Sequence, residues 1–292
     1  MINNSKCSLC PRSCEIDRSR ANGACGVGDK IKVNRVMRHM WEEPCISGES
    51  GSGAIFFSGC PLKCVFCQNM SVSHEARGTE MSVCSLADEM LRLQDEGVHN
   101  INLVSPTQFS DKIRASLDLI RHKLKIPVVY NTGGYEKASE IEKLRGYVDI
   151  FLTDIKYFSS EISEKYSRAR DYFDFALPAF KKMLELQGEC ILDKNGIMKS
   201  GVILRHLVLP TCRADSMKIL EEVAENCDVS KFKLSLMSQY TPDFCDEGYK
   251  ELKRKITTFE YQSVLDLAIS LGYDGYMQNP LSASKKYTPD FK

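Results

Sequence analysis

Cys60, Cys64 and Cys67 stand with three and then two residues between them, so three potential thiolate ligands share one short loop. They can reach a single metal centre without distant partners. Zinc normally takes four ligands, whereas a four-iron cubane on three thiolates keeps one iron free of protein, where a small molecule can bind and react. Two other readings of the triad are buried thiols acting as small hydrophobes and a structural zinc site completed elsewhere in the chain. The apolar run Ala54-Ile55-Phe56-Phe57 directly before the loop reads as a buried strand, and Ser58-Gly59 breaks it. The cysteines are therefore expected at the carboxyl end of a strand.

A second group, Cys7, Cys10 and Cys14, is followed by Cys25 inside the glycine-rich turn Asn22-Gly-Ala-Cys-Gly-Val-Gly28. Four thiolates in so short a stretch read as one closed metal site, with glycines that let the backbone fold around it. Zinc and an iron–sulfur cluster both accept four cysteines, and a closed site would be structural or electron-relaying. His39 and Cys45 are left outside it, since a lone histidine beside Met40 and Trp41 reads as packed or surface-exposed.

From Ala54 onward, strand-like runs alternate with helix-like ones, which predicts a parallel sheet in an α/β fold. Strands are expected at 54–57, 101–104, 128–130, 148–152, 202–207 and 232–236. Leu86, Met90 and Leu93 share one helical face, and Ile113, Leu117, Ile120 and Leu124 share another, with Ser110 as N-cap. Further helices are expected around Ile141, Leu184 and Val223, and a last one over Val264, Leu267, Ala268 and Leu271. The architecture that follows is a partial, open (β/α)6 barrel over residues 51–292, preceded by a small cysteine-rich metal-binding segment at 1–50. Gly275 to Pro280 reads as a closing strand and turn, with a tail from Ser282 draped over the barrel. Tyr-Thr-Pro-Asp-Phe occurs at 240–244 and again at 287–291, which is turn chemistry and not a repeat architecture.

Active sites of parallel barrels collect at the carboxyl ends of the strands. Here those ends carry Ser105 and Thr107, Asn131, Asp154 and Lys156, Arg205, and Gln239. Taken singly, Asp154 and Lys156 also read as a solvated pair, and Arg205 as a salt bridge on the sheet's rim.

The 292 residues suffice for one large α/β domain. Lys plus Arg and Asp plus Glu both number 39, so nothing points to a nucleic-acid partner. The 13 cysteines cluster at metal-ligand spacings in a chain too long to need a disulfide scaffold, which points to a reducing cytoplasm. No apolar run approaches the roughly 20 residues of a membrane helix.

The spacing CxxxCxxC with an aromatic, Phe66, just before the third cysteine resembles the signature of the radical SAM enzymes. Within them the chain is most similar to pyruvate formate-lyase activating enzyme-like proteins with a cysteine-rich N-terminus. The likeness runs through Cys7 to Cys14, Cys60 to Asn69, Asn131-Thr-Gly-Gly, Asp154-Ile-Lys156 and Arg205 to Pro210. It implies a [4Fe-4S] cluster on Cys60, Cys64 and Cys67 and reductive cleavage of S-adenosyl-L-methionine to a 5′-deoxyadenosyl radical. It also implies a reductant such as flavodoxin or ferredoxin, and cofactor contacts from Phe66, Ser105, Thr107, Asn131, Asp154, Lys156, Arg205 and Gln239. The cofactor offers a carboxylate, an ammonium, a sulfonium, a ribose diol and an adenine, so both signs of charge are needed. Two positions depart from the family: Ser105-Pro106-Thr107 stands where Gly-Gly-Glu is common, and Gln239 stands near where the activases carry a histidine. The expected substrate is a protein or peptide, as for a glycyl-radical activase. A small-molecule substrate and a non-catalytic iron–sulfur or zinc protein are the alternatives.

Overall fold

The structure is a computed structural model and describes residues 6–278. Its strands are β1 (Ile31–His39), β2 (Ser52–Phe57), β3 (Thr79–Met81), β4 (Ile101–Val104), β5 (Val128–Thr132), β6 (Ile150–Asp154), β7 (Ile191–Leu192), β8 (Met198–Leu207), β9 (Lys233–Met237) and β10 (Gly275–Met277). Its helices are α1 (Pro44–Ser47), α2 (Met70–Ser73), α3 (Val83–Asp95), α4 (Ser110–Ile120), α5 (Ala138–Glu142), α6 (Ser160–Ser167), α7 (Tyr172–Gln187), α8 (Arg213–Asn226) and α9 (Thr258–Ser270). The sheet order is β10-β9-β8-β6-β5-β4-β2-β1-β3, with β7 paired to β8. From β2 to β10 every neighbouring pair is parallel, while β1 lies antiparallel on β2, and β3 on β1.

All six strands expected from the sequence form, each followed by a helix, which gives the partial (β/α)6 barrel. β2, β5 and β6 are buried at every residue, as strands covered on both faces must be. Side chains alternate between the two faces. Phe151, Val202 and Leu204 pack outward on Phe180, Met183, Ile219 and the other helix residues of the main core. Val129, Ile150, Leu152 and Ile203 point inward and form a separate cluster with Cys45 and Ile46 of α1. The inner face therefore starts apolar and is plugged by α1. Two residues further along the same strands it becomes Asn131, Asp154 and Arg205, and this period-two step puts the charged groups above an apolar floor.

Three features differ from the sequence reading. Ser110 is the first helical residue of α4 and not its N-cap; a 3-10 turn at Thr107–Phe109 runs straight into the helix, and Phe109 takes the cap position without a side-chain bond. Leu124 lies beyond the helix end. β1 and α1, both within the first fifty residues, are built into the sheet and the barrel interior. Residues 275–277 do form a strand, and the first Thr-Pro-Asp sequence forms a 3-10 turn at Pro242–Phe244. Pro280, the tail from Ser282 and the second copy of that pentapeptide lie outside the described residues. No helix among the described residues is long and apolar enough to cross a membrane.

Candidate active site

The cysteine loop leaves β2 at Gly59, whose φ of +81° suits glycine. A Cβ there would lie 2.6 Å from the Cys25 carbonyl oxygen, so only glycine lets the loop turn against the N-terminal segment. Each sulfur of the triad accepts a hydrogen bond. The Ser73 hydroxyl donates to Cys67 Sγ at 3.2 Å, the Ser167 hydroxyl to Cys64 Sγ at 3.0 Å, and the Leu62 N–H to Cys60 Sγ at 3.4 Å. Lys156 adds positive charge near Cys64 and Cys67. Such donors favour sulfur that carries negative charge, as in a metal thiolate. Burial, reinforced by Cys64 and Cys67, pushes the Cys60 thiol up to about 12. Burial likewise raises Cys67. Binding a metal here must therefore displace protons. Among the described residues no three Cys, His, Asp or Glu side chains converge on one ion position. A cubane spreads its thiolates over separate irons and needs no such convergence. Phe66 is buried and packs edge-on to Tyr240 at 6.1 Å between ring centres.

The N-terminal segment is clasped over this loop. Arg12 donates to the carbonyl oxygens of Pro61 and Ser167, each at 2.9 Å, and also to that of Arg168. Its guanidinium sits 5.3 Å from the Tyr135 ring centre. Arg18 donates to the Gln108 carbonyl, and the Cys60 N–H donates to the Cys25 carbonyl at 3.0 Å. Cys7, Cys10, Cys14 and Cys25 share one neighbourhood: Cys14 and Cys25 each raise the Cys10 thiol, and Cys7 and Cys14 each raise that of Cys25. None of the chain's cysteines forms a disulfide.

Below the loop the strand ends gather as one charged network. Arg205 donates to Asp154 Oδ1 at 3.1 Å, to Glu42 Oε2 at 3.2 Å, and to Asn131 Oδ1. The Lys156 ammonium lies on Asp154 Oδ2. Asp154 is buried, which alone would raise its carboxyl; Lys156 and Arg205 together hold it below the usual carboxylate range. Gly134, at φ +80°, makes the close approach possible, since a Cβ there would fall 1.9 Å from the Asp154 carbonyl oxygen. Asn131, Arg205 and Gln239 line a cavity of about 470 Å³ that opens below Gln68 and Asn69. A solvated Asp154–Lys156 pair is thus replaced by a buried one.

Ser105 and Thr107 are placed differently. Ser105 adopts φ +56° and uses its carbonyl to accept from Gln108 Nε2 at 2.9 Å. The Thr107 hydroxyl is buried and donates to Glu136 Oε1 at 2.5 Å, as Thr132 does at 2.6 Å. Burial raises the Glu136 carboxyl to about 7. Gln108 reaches the carbonyls of Ser58 and Gly59 at 3.0 and 3.1 Å, pinning the start of the cysteine loop. The sequence reading placed Gln108 only in the polar end of its strand and missed Glu136, Glu42 and Glu43. The last two follow β1 as adjacent carboxylates before Pro44, and that pairing was the available signal; nothing in the sequence says the connection enters the barrel.

Residues 54–195 match the radical SAM superfamily. An uncharacterized protein of Methanocaldococcus jannaschii is 28% identical over 281 residues, covering 92% of this chain and 75% of that one. Among solved structures, Streptococcus suis SuiB bound to precursor peptide SuiA superposes with a TM-score of 0.51 at 16% identity. That superposition covers 77% of this chain and 48% of SuiB, so the chain spans about half of that protein's length, and the likeness is one of fold. A radical SAM methyltransferase from Sphaerobacter thermophilus gives a TM-score of 0.49 at 12% identity, over 80% of this chain and 69% of its own. A cysteine loop whose sulfurs are met by donors and a partial parallel barrel beneath it thus coincide with a radical SAM domain match over residues 54–195, which begins in the strand that carries the loop.

Proposed function

We propose that the protein is an iron–sulfur enzyme that reductively cleaves S-adenosylmethionine and uses the resulting 5′-deoxyadenosyl radical to abstract hydrogen from a protein or peptide, in the manner of a glycyl-radical activase. The observation that carries this reading is the gathering of Asn131, Asp154, Lys156 and Arg205 into one buried network directly beneath the Cys60–Cys67 loop. A four-iron cluster held by Cys60, Cys64 and Cys67 would supply the electron that breaks the carbon–sulfur bond. Asp154 and Lys156 present an acceptor and a donor at one strand end for the ribose and base, and Gln239 adds a neutral donor across the cavity. Thr107 is engaged by Glu136, so the methionyl ammonium must rely on backbone carbonyls at this strand end. A peptide substrate is supported by the SuiB complex, where the same fold accepts one.

Cys7, Cys10, Cys14 and Cys25 form, on this reading, a closed second metal site. Their mutual proximity supports it, and zinc and an iron–sulfur cluster both suit four thiolates. Electrons would come from a reductant such as a flavodoxin or ferredoxin in the cytoplasm. The test is anaerobic reconstitution with iron and sulfide, reduction, and assay of 5′-deoxyadenosine from S-adenosylmethionine. The wild-type protein should produce it, and Cys60→Ala, Cys64→Ala or Cys67→Ala should each abolish it. Deoxyadenosine from the triple variant would sink the reading.

A further inference from the structure

Beside the Arg205 network, a third carboxyl group in the barrel has only a share in a cation that Asp154 and Glu42 already engage. Glu42 and Asp154 are matched by Arg205 and Lys156, two anions against two cations, all in contact. Glu43 is the remaining carboxyl. It lines the same cavity of about 470 Å³, is only 8% exposed, and its Oε2 has no hydrogen-bond partner. A hydrogen bond with Ser235 engages the group, but no second cation reaches it: Arg205 is the only Lys or Arg lining the cavity among the described residues. His39 also lines the cavity, and burial lowers its pKa, so it is neutral there. Burial and the neighbouring Glu42 push the Glu43 carboxyl up, against the pull of Arg205. An unpaired buried acceptor is costly, and a ligand bringing its own donor removes that penalty.

A second cavity of about 490 Å³, lined by Met40, Ser47 and Gly48, shares Trp41, Glu42, Gln239 and Gln278 with the first. The two therefore adjoin along the connection between β1 and α1, with Glu43 lining the inner one and its Oε2 enclosed behind that wall. The residues that line only the outer cavity, Met40, Ser47 and Gly48, are uncharged, and the inner cavity sets Glu42 and Glu43 against the single cation Arg205, which suits a chain with an apolar stem and a cationic head.

We propose that Glu43 is a specificity-determining residue that seats a primary ammonium or guanidinium group of the substrate inside the barrel. This rests on the enzymatic reading only in assigning that cation to the substrate, because the binding itself needs neither cluster nor reductant. A lysine or arginine side chain of a peptide has the required chemistry. One charge-assisted contact is worth about tenfold or more in affinity.

The experiment is calorimetric titration of the intact protein with N-acetyl-lysine methylamide, N-acetyl-arginine methylamide and the uncharged N-acetyl-norleucine methylamide. At least one cationic probe is expected to bind about tenfold or more tighter than the norleucine probe. Glu43→Gln is expected to reduce that preference to about twofold while leaving affinity for S-adenosylmethionine within about twofold. Equal wild-type affinities for charged and uncharged probes would overturn the proposal, and that comparison stands even if the variant fails to fold. A variant that keeps the preference would overturn it too. So would one that loses S-adenosylmethionine binding while the probes are unaffected, because the carboxyl would then serve the cofactor. Deoxyadenosine formation is assayed separately, so failure here and failure of the enzymatic reading are distinguishable.

Discussion

The two cysteine groups lie one hydrogen bond apart, Cys60 N–H to Cys25 carbonyl, yet they are held in different ways. Around Cys60, Cys64 and Cys67 the donors come from the rest of the barrel: Ser73 on α2, Ser167 at the end of α6, and the charge of Lys156 after β6. Around the N-terminal group the contacts to sulfur are local. Ala24 N–H donates to Cys14 Sγ at 3.4 Å, and Cys25 Sγ lies 3.8 Å from the Val27 carbonyl. That segment joins the barrel through arginine side chains on backbone carbonyls, not through its thiols. The loop is thus part of the barrel's own polar interior. The N-terminal group takes its sulfur contacts from its own segment, although Cys25 and Val27 pack into the main core, and loss of the metal proposed for it should loosen that segment before the barrel.

The strongest way to break this comparison is to remove the N-terminal thiols. A Cys7, Cys10, Cys14 and Cys25 quadruple-serine variant is expected to lose the metal of that segment entirely while keeping the iron of the Cys60 loop. A bound structural metal contributes folding free energy, so residues 6–28 should become protease-sensitive before the barrel does. Metal analysis with limited proteolysis measures both. Loss of iron from both sites together would show that the two groups are one unit, and identical metal content in variant and wild type would show that the N-terminal thiols hold nothing.

The sequence made the loop, the six strand–helix units and the charged strand ends legible because each rests on local information: spacing, a period of two, and which residues follow an apolar run. Asn131, Asp154, Lys156 and Arg205 are brought together as strand parity requires. What it hid depends on contacts distant in sequence. Glu42 meets Arg205 across 163 positions, and Thr107 meets Glu136 across 29, so neither partner is readable from its own neighbourhood. β1 was missed because a half-buried strand with Asn34, Arg35 and Arg38 in it has no continuous apolar run. Ser110 looked like an N-cap because a serine preceding a helical period is the usual sign. Only the backbone shows that the helix continues out of a 3-10 turn.

A second way to sharpen the comparison uses pH, because each region has its own buried titrating neighbour. Burial, with a smaller contribution from Glu136, raises the Cys10 thiol, and His206 has its ring nitrogen Nδ1 2.7 Å from the Ile155 carbonyl, within the influence of Asp154 and Lys156. Burial raises Glu136 to about 7, so the folded state holds a proton the unfolded chain loses, and stability falls as pH rises from about 4.5 to about 7. Burial lowers His206 to about 4, so the unfolded chain takes up a proton first, and stability falls as pH drops from about 6.5 to about 4. Each shift corresponds to about 3 kcal/mol, of opposite slope, and in the wild type they offset one another over the shared window. Glu136→Gln keeps an acceptor for Thr107 and Thr132 and should unmask a stability that climbs between pH 4.5 and 6.5. His206→Asn should unmask the reverse. Urea midpoints at pH 5 and 7 measure both, and parallel profiles for the two variants would refute the assignment.

The smallest expected effect tests the donors themselves. Hydrogen bonds to cluster sulfurs stabilise the more negative, reduced state, so removing one should make the potential more negative. The Ser73 hydroxyl reaches Cys67 Sγ and also contacts His74 Nδ1 at 2.8 Å, a contact that fixes its rotamer. One net hydrogen bond of about 0.5–1.5 kcal/mol corresponds, for one electron, to about 20–60 mV. Ser73→Ala should lower the midpoint of the Cys60-loop cluster by that amount with its iron content unchanged. Ser13→Ala is the matched control on the other side, since Ser13 bonds the Cys10 carbonyl and Lys137 but no sulfur. It should leave that midpoint where it is. Spectroelectrochemical titration of the two variants decides the matter: equal potentials would mean that the barrel does not tune its own loop, and the contrast between the two groups would then be one of position alone.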